Sequence, residues 1–350
     1  MFKGFGRRSR LRRCDSRVRA RTPITVAILL LALVIVVAPR AGETQRPAKI
    51  PRVGFLSPRS ASDTETARRL EAFRQGLRDL GYVEGRNIVI ESRSAEAQYE
   101  RLTGLAAEMV GLQVDVIVTY GLPATEAAKR ATGTIPIVMA SALDAVAHGV
   151  VASLARPGGN VTGVSFMSPE LAGKQLEILK EVVPKISLVA LLGNPANPGN
   201  AAQVQYVQDS ARRLGVQVRS LEARGPGEID GAFAAMTSAK ADGVIVLVDA
   251  VLLEHRTQIA NVAARRRLPT VSGMIENVEA GGLMSYGPSV PDMFRHMATF
   301  VDKVLKGAKP ADLPVEQPTK FDLVISVKAA KALGLRIPRH VLLRADRIIE

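Results

Sequence analysis

The chain has no tryptophan, one cysteine, four histidines and only 4% aromatic residues. A single cysteine excludes an intramolecular disulfide. His148, His255, His296 and His340 stand alone, with no two at metal-ligand spacing, so neither a metal nor a cofactor is expected. Several chemistries are missing too. Gly163-Val-Ser165-Phe-Met167 lacks the second glycine of a hydrolase elbow, no glycine-rich loop ends in Lys-Ser/Thr, and no G-x-G-x-x-G follows the first strand. No catalytic set is legible, which argues against an enzyme.

The charge balance points first to nucleic acid, with 47 Lys+Arg against 33 Asp+Glu and a net charge of +14. Its location removes that reading. Residues 1–22 hold nine Lys/Arg against Asp15, and residues 47–350 carry only about +5. No basic stripe interleaved with aromatics runs through the body, so no nucleic-acid partner is expected. Behind the basic stretch lies an apolar segment, Ile24–Ala38, fifteen residues without a charge. That is short for a span of about 20 residues and fits the core of a secretory signal. Residues 1–47 are therefore expected to be an export signal cut near Ala38 or Ala41, or else an uncleaved amino-terminal anchor. Cys14 precedes the apolar core and cannot be a lipidated cysteine at its end. Either way the body is expected in the periplasm.

From Ile50 onward, short Val/Ile-rich runs alternate with amphipathic segments. Strands are predicted at Arg52–Ser57, Asn87–Glu91, Val114–Thr119, Ile135–Ala140, Val161–Ser165, Leu188–Gly193, Gln217–Leu221, Gly243–Val248 and Leu283–Tyr286. Helices are predicted between them, the first at Thr64–Leu80 with an apolar face of Leu70, Phe73, Leu77 and Leu80. This alternation implies parallel sheets covered by helices on both faces. The order strand, helix, Leu-Gly, strand, helix, Asp-x-Ile-Val also occurs twice: Val53–Pro58 to Asp115–Gly121, then Val189–Pro195 to Asp242–Asp249. Two similar doubly wound α/β lobes are expected, one near residues 50–160 and one near 165–285. The proline-bearing stretch Ala311–Ser326 is read as a crossing between lobes, and Asp115 and Asp242, at matching strand starts, as turn or cap residues.

In such sheets, ligands bind beyond the carboxyl ends of strands, where helix N-termini offer free N–H groups. Those positions carry Ser57, Thr119, Tyr120, Ser141, Ser165, Asn194, Asp249, Met274 and Tyr286. Hydroxyls and helix N-termini suit a carboxylate, Asp249 an ammonium, and Tyr120, Phe166, Met274 and Tyr286 an apolar side chain. Helix capping alone explains any single one of these equally well. Taken together they favour one ligand cleft between facing lobes.

Several segments resemble a known family: Val53–Pro58, Phe73–Leu102 with LGYVEGRNI, Asp115–Lys129, Ile135–Ser165 with RPGGNVTG, Lys174–Ile186, Leu191–Pro198 and Leu313–Pro338. These are similar to the type I periplasmic substrate-binding proteins of ABC transporters, in the branch with tryptophan-type amino-acid binders. The match covers about residues 50–345. The resemblance implies two lobes joined by a hinge, the first of residues 50–162 plus about 288–317 and the second of 163–287 plus about 318–350. It also implies a small-molecule ligand, an amino acid or related carboxylate, trapped between them and delivered to an inner-membrane ABC permease and its ATPase. By position it also adds Asp144 to the ligand residues above. A sensor presented to a membrane receptor, or a racemase-like or nucleotide-sugar enzyme on the same architecture, are the alternatives.

Overall fold

A computed structural model describes residues 49–142, 144–166 and 169–350; the expected export signal or anchor lies outside them. The first sheet has strands β1 (Arg52–Ser57), β2 (Val89–Ser94), β3 (Val116–Tyr120), β4 (Ile137–Ala142) and β5 (Val161–Ser165), in the order β2-β1-β3-β4-β5, all parallel. Helices α1 (Thr64–Asp79), α2 (Leu102–Gly111) and α3 (Gly121–Ala131) connect them.

The second sheet is built by β6 (Leu188–Gly193), β7 (Gln217–Glu222), β8 (Gly243–Val246), β9 (Thr270–Ser272), β10 (Met284–Pro288), β11 (Phe321–Ser326) and β12 (Arg347–Ile349). Its order from the β7 edge, β7-β6-β8-β9-β10, reproduces the first sheet before β11 and β12 are added. The internal repeat is thus a repeated sheet. Helices α4 (Pro169–Val182), α5 (Gly199–Leu214), α6 (Pro226–Ser238), α7 (Ala250–Glu254), α8 (Arg256–Arg265) and α9 (Ile275–Glu279) belong to this lobe. Helix α10 (Val290–Leu305) returns to pack on α1 in the first lobe, and α11 (Val327–Ala332) and α12 (Arg339–Leu342) finish the second.

One pairing departs from the all-parallel expectation: β11 runs antiparallel to β10. The chain reaches β11 from the first lobe rather than by a helical crossover, so it enters the sheet from the other end. On the way, Glu316 accepts from the Ser165 N–H and donates its own N–H to the Gly163 carbonyl, both at 2.9 Å. Val315 likewise donates to the Leu154 carbonyl.

Strand side chains alternate between two apolar layers, as a sheet covered on both faces requires. In the first lobe Val53, Phe55, Val116, Val118 and Val138 face one layer, while Leu56, Ile117, Ile137 and Met139 face the α2/α3 layer. In the second, Val189, Leu191 and Ile245 oppose Ala190, Leu192, Val244 and Val246. The matching aspartates do matching work. Asp115 Oδ2 accepts from the Arg52 N–H at 2.8 Å, and Asp242 Oδ2 from the Leu188 N–H at 3.0 Å, each fastening the start of a neighbouring strand. Helix α1 differs from its sequence reading. Its buried stripe is Thr66, Arg69, Phe73, Gly76 and Leu77, whereas Leu70 is half-buried and Leu80 is exposed at the helix end.

Candidate ligand-binding cleft

Strand order reverses beside β1 in one sheet and beside β6 in the other, and the loops leaving the carboxyl ends there meet between the lobes. After β1, Ser57 Oγ accepts from the Arg59 N–H at 3.2 Å, and Asp63 caps α1 by accepting from the Thr66 N–H at 3.0 Å. After β3, the Thr119 and Thr125 hydroxyls meet at 2.8 Å, and Gly121 turns into α3 with φ 77°. After β8, Asp249 caps α7, with Oδ1 accepting from the Leu252 N–H at 2.9 Å.

Two arginines lie buried in this region. Arg59 is fully buried; its Nη2 is 2.5 Å from Asp63 Oδ2 and 3.7 Å from Glu254 Oε2 of the second lobe. Arg69 Nη2 donates to Glu276 Oε1 of α9 at 2.5 Å, with the guanidinium 4.7 Å over the Tyr120 ring. Arg256 of the second lobe reaches Asp63 Oδ1 at 3.1 Å. Even so, Nε and Nη1 of both arginines and Oε2 of Glu254 and Glu276 are buried without a hydrogen-bond partner. Unspent buried donors and acceptors carry a desolvation cost, so they are the groups that gain most from a polar ligand.

The ionisation states follow from these contacts. Burial disfavours the Arg69 cation, but Tyr120 and Glu276 outweigh it and raise its pKa. Burial would raise the Asp63 carboxyl, but the Arg59 charge and hydrogen bond, the Thr66 N–H and Arg256 hold it below its ordinary value. Burial and the Asp249 carboxylate push the Tyr99 phenol well above its ordinary value. The Asp63 shift has a testable sign. A depressed folded-state value stabilises above the unfolded value of 3.8 and is lost as pH falls through the folded one. Urea midpoints are therefore expected to fall more steeply in acid for the wild type than for Asp63→Asn. Parallel curves between about pH 7 and pH 2 would contradict this.

Asn194 and Asp249 come together, Nδ2 to Oδ1 at 3.3 Å, and Asn197 Nδ2 adds a bond to Oδ2 at 3.0 Å. Tyr99 donates to the same oxygen at 2.6 Å from the first lobe, so all four acceptor positions of Asp249 are taken up within the protein. Asp144 Oδ2 accepts from Tyr206 of the second lobe at 2.7 Å. Tyr120 is buried between Arg69 and Phe294, whose ring centroid is 5.5 Å away. Met274 is buried at the start of α9, and Ser165 is buried in the crossing. Tyr286 packs on Phe321 at 6.0 Å and lines a cavity of about 310 Å³ with Leu171 and Lys174 of α4. The Ser141 side chain lies outside the described residues.

Sequence reasoning passed over Arg59, Arg69, Tyr99, Asn197, Glu254 and Glu276. One signal was available. Arg69 stands in register with Thr66, Phe73 and Gly76, a charge on the helix face turned to the core.

Two α/β lobes that meet at their facing strand ends through buried ion pairs define a two-lobe α/β protein. The chain belongs to the ABC transporter substrate-binding protein family, whose model matches residues 63–349. A curated tyrosine-binding protein from Clostridioides difficile (strain R20291) is 27% identical over 267 residues, 76% of either chain. A solved conserved domain protein from Vibrio cholerae O1 biovar El Tor superposes with TM-score 0.81 at 27% identity, covering 86% of this chain and 100% of its own. The ABC domain from Streptococcus pneumoniae in complex with L-Trp gives 0.80 at 28% identity, covering 85% and 99%. Among the described residues, no helix is long and apolar enough to cross a membrane, and no group of three His, Cys, Asp or Glu is placed to hold a metal.

Proposed function

We propose that this protein is the extracytoplasmic solute-binding component of an ABC importer and captures an amino acid between its lobes without transforming it. The observation that carries the reading is the set of buried donor and acceptor atoms without hydrogen-bond partners on the ion pairs at the lobe boundary. Arg59 and Arg69 come from the first lobe, and Glu254 and Glu276 from the second. A zwitterion answers both signs, its carboxylate going to the arginine donors and its ammonium to the glutamate oxygens. Ser57, Thr119, Tyr120, Ser141, Ser165 and Met274 are proposed to complete the wall. The similarity to a tyrosine-binding protein and to an L-Trp complex supports an aromatic amino acid. Contacts to both lobes exist only in the closed form, so ligand shifts the population toward it. That form is the one proposed to be presented to a membrane permease with its ATPase.

Thermal unfolding tests the substrate class. L-Tryptophan or L-tyrosine at 100 times its Kd is expected to stabilise the protein by about 2.7 kcal/mol. Tryptamine and indole-3-propionate each lack one of the two charges and are expected to shift the melting temperature far less. Equal shifts from these analogues, or none from any amino acid, would refute the zwitterion reading.

A further inference from the structure

The chain contains five tyrosines, and three of them spend the hydroxyl on an aspartate. Tyr82 donates to Asp302 Oδ1 at 3.0 Å, both within the first lobe. The other two pairs cross between lobes, in opposite directions. Tyr99, just before α2, donates to Asp249 Oδ2 at 2.6 Å, and its oxygen accepts from the Ala250 N–H at 3.2 Å. Tyr206, on α5, donates to Asp144 Oδ2 of the first lobe at 2.7 Å.

Each acceptor is also held by partners within its own lobe. Asp249 is held by Asn194, Asn197 and the Leu252 N–H within its own lobe. Asp144 sits in the left-handed backbone region at φ 47°, and its Oδ1 accepts from the Ala147 N–H at 3.1 Å, which leaves Oδ2 for the other lobe. A non-glycine residue held there costs free energy unless its surroundings over-determine it, and such residues gather at functional positions. Hydrogen bonds to a carboxylate are stronger than neutral ones and favour preset geometry. Each crossing bond exists only when the lobes are together, and neither needs ligand.

We infer that Tyr99 and Tyr206 are positioning residues for closure: they hold the lobes together at two separate points and set ligand affinity and residence time through the closed population. The part that concerns affinity rests on the ligand-binding reading above; the part that concerns closure does not. A protein whose competent form is only partly populated binds with an apparent Kd raised by that fraction. Loosening either bond lowers the fraction and leaves the ligand's own contacts alone. The loss falls mainly on the dissociation rate.

The fold supplies a matched control, since Tyr82→Phe removes the same kind of bond without touching the lobe boundary. Small-angle scattering of the ligand-free protein is expected to show a larger radius of gyration for the double variant Tyr99→Phe/Tyr206→Phe than for the wild type. Tyr82→Phe is expected to scatter as the wild type does. With L-tyrosine as probe, each single crossing variant is expected to dissociate about ten times faster. Tyr82→Phe is expected to leave that rate unchanged. Ligand-free scattering of the double variant identical to the wild type overturns the inference, as does a Tyr82→Phe protein that opens equally. If L-tyrosine gives no binding signal even with the wild type, the ligand reading fails, and the scattering comparison alone still decides the closure role.

Discussion

Gly163→Ala is expected to be among the most damaging single-methyl changes available in this chain. Gly163 has φ 128°, a region that side-chain-bearing residues rarely enter. A Cβ there would lie 2.2 Å from the Met139 carbonyl oxygen and 2.7 Å from its nitrogen, both backbone atoms of the paired strand β4. Neither contact is relieved by a rotamer change. Backbone strain costs about 1–3 kcal/mol and overpacking about 1–3 more, so a loss of about 2–6 kcal/mol is expected. The same residue accepts the Glu316 N–H, so a displaced β5 also disturbs the crossing to the second lobe. Urea unfolding measures the effect; a loss under about 1 kcal/mol would show that β4 and β5 separate more easily than their register implies.

The second large effect is expected at Arg69. Removing its guanidinium leaves Glu276, only 3% exposed, with a buried charge and no counter-ion. One-sided removal from such a pair costs about 3–5 kcal/mol. Here the cost has an outlet, since opening the lobes returns Glu276 to water. Arg69→Ala is therefore expected to unfold at a urea midpoint not far below the wild type, yet to bind L-tryptophan or L-tyrosine more than about 100-fold more weakly. The double change Arg69→Met/Glu276→Leu removes both charges and is expected to recover closure but not binding, since the carboxylate partner is gone. Calorimetric titration with scattering separates the two effects. If Arg69→Ala binds as the wild type does, the guanidinium takes no part in holding the ligand or the closed form.

The sheets were readable because their central strands are nearly continuous apolar runs bounded by Gly, Pro and Asn, and because the Asp-x-Ile-Val and Leu-Gly signals recur. Short β9, β11 and β12 escaped notice: Thr270–Ser272 is only three residues, and Phe321–Ser326 sits in a stretch whose prolines suggested connection alone. RPGGNVTG was recognisable as a motif, but its physical reason, the approach of Gly163 to Met139, needs two strands in place. The cleft was half legible. Asn194 and Asp249 follow from strand ends, whereas Arg59, Arg69 and Glu276 do not. A lone arginine on a helix reads as solvated until the element opposite it is known, and Glu276 is 207 residues away from Arg69. Tyr99 and Tyr206 were invisible for the same reason, because their partners are 150 and 62 residues distant.

The return of α10 to the first lobe bears on how the chain reaches its native state during synthesis. Phe294 packs against Phe55 and Tyr120 at 6.0 and 5.5 Å, and Gly76 of α1 has its Cβ position 2.2 Å from the Arg295 carbonyl oxygen. One apolar layer of the first sheet, already packed by Phe73 and Leu77 of α1, is therefore completed by residues made only after β10. An emerging chain carries that half-covered layer until residue 305 or so has been made. Such late, long-range closure slows folding and exposes sticky surface to other chains. A nascent chain stopped at Pro288 holds every strand of the five-stranded sheet yet lacks the α10 part of its cover, so Phe55 and Tyr120 wait for Phe294.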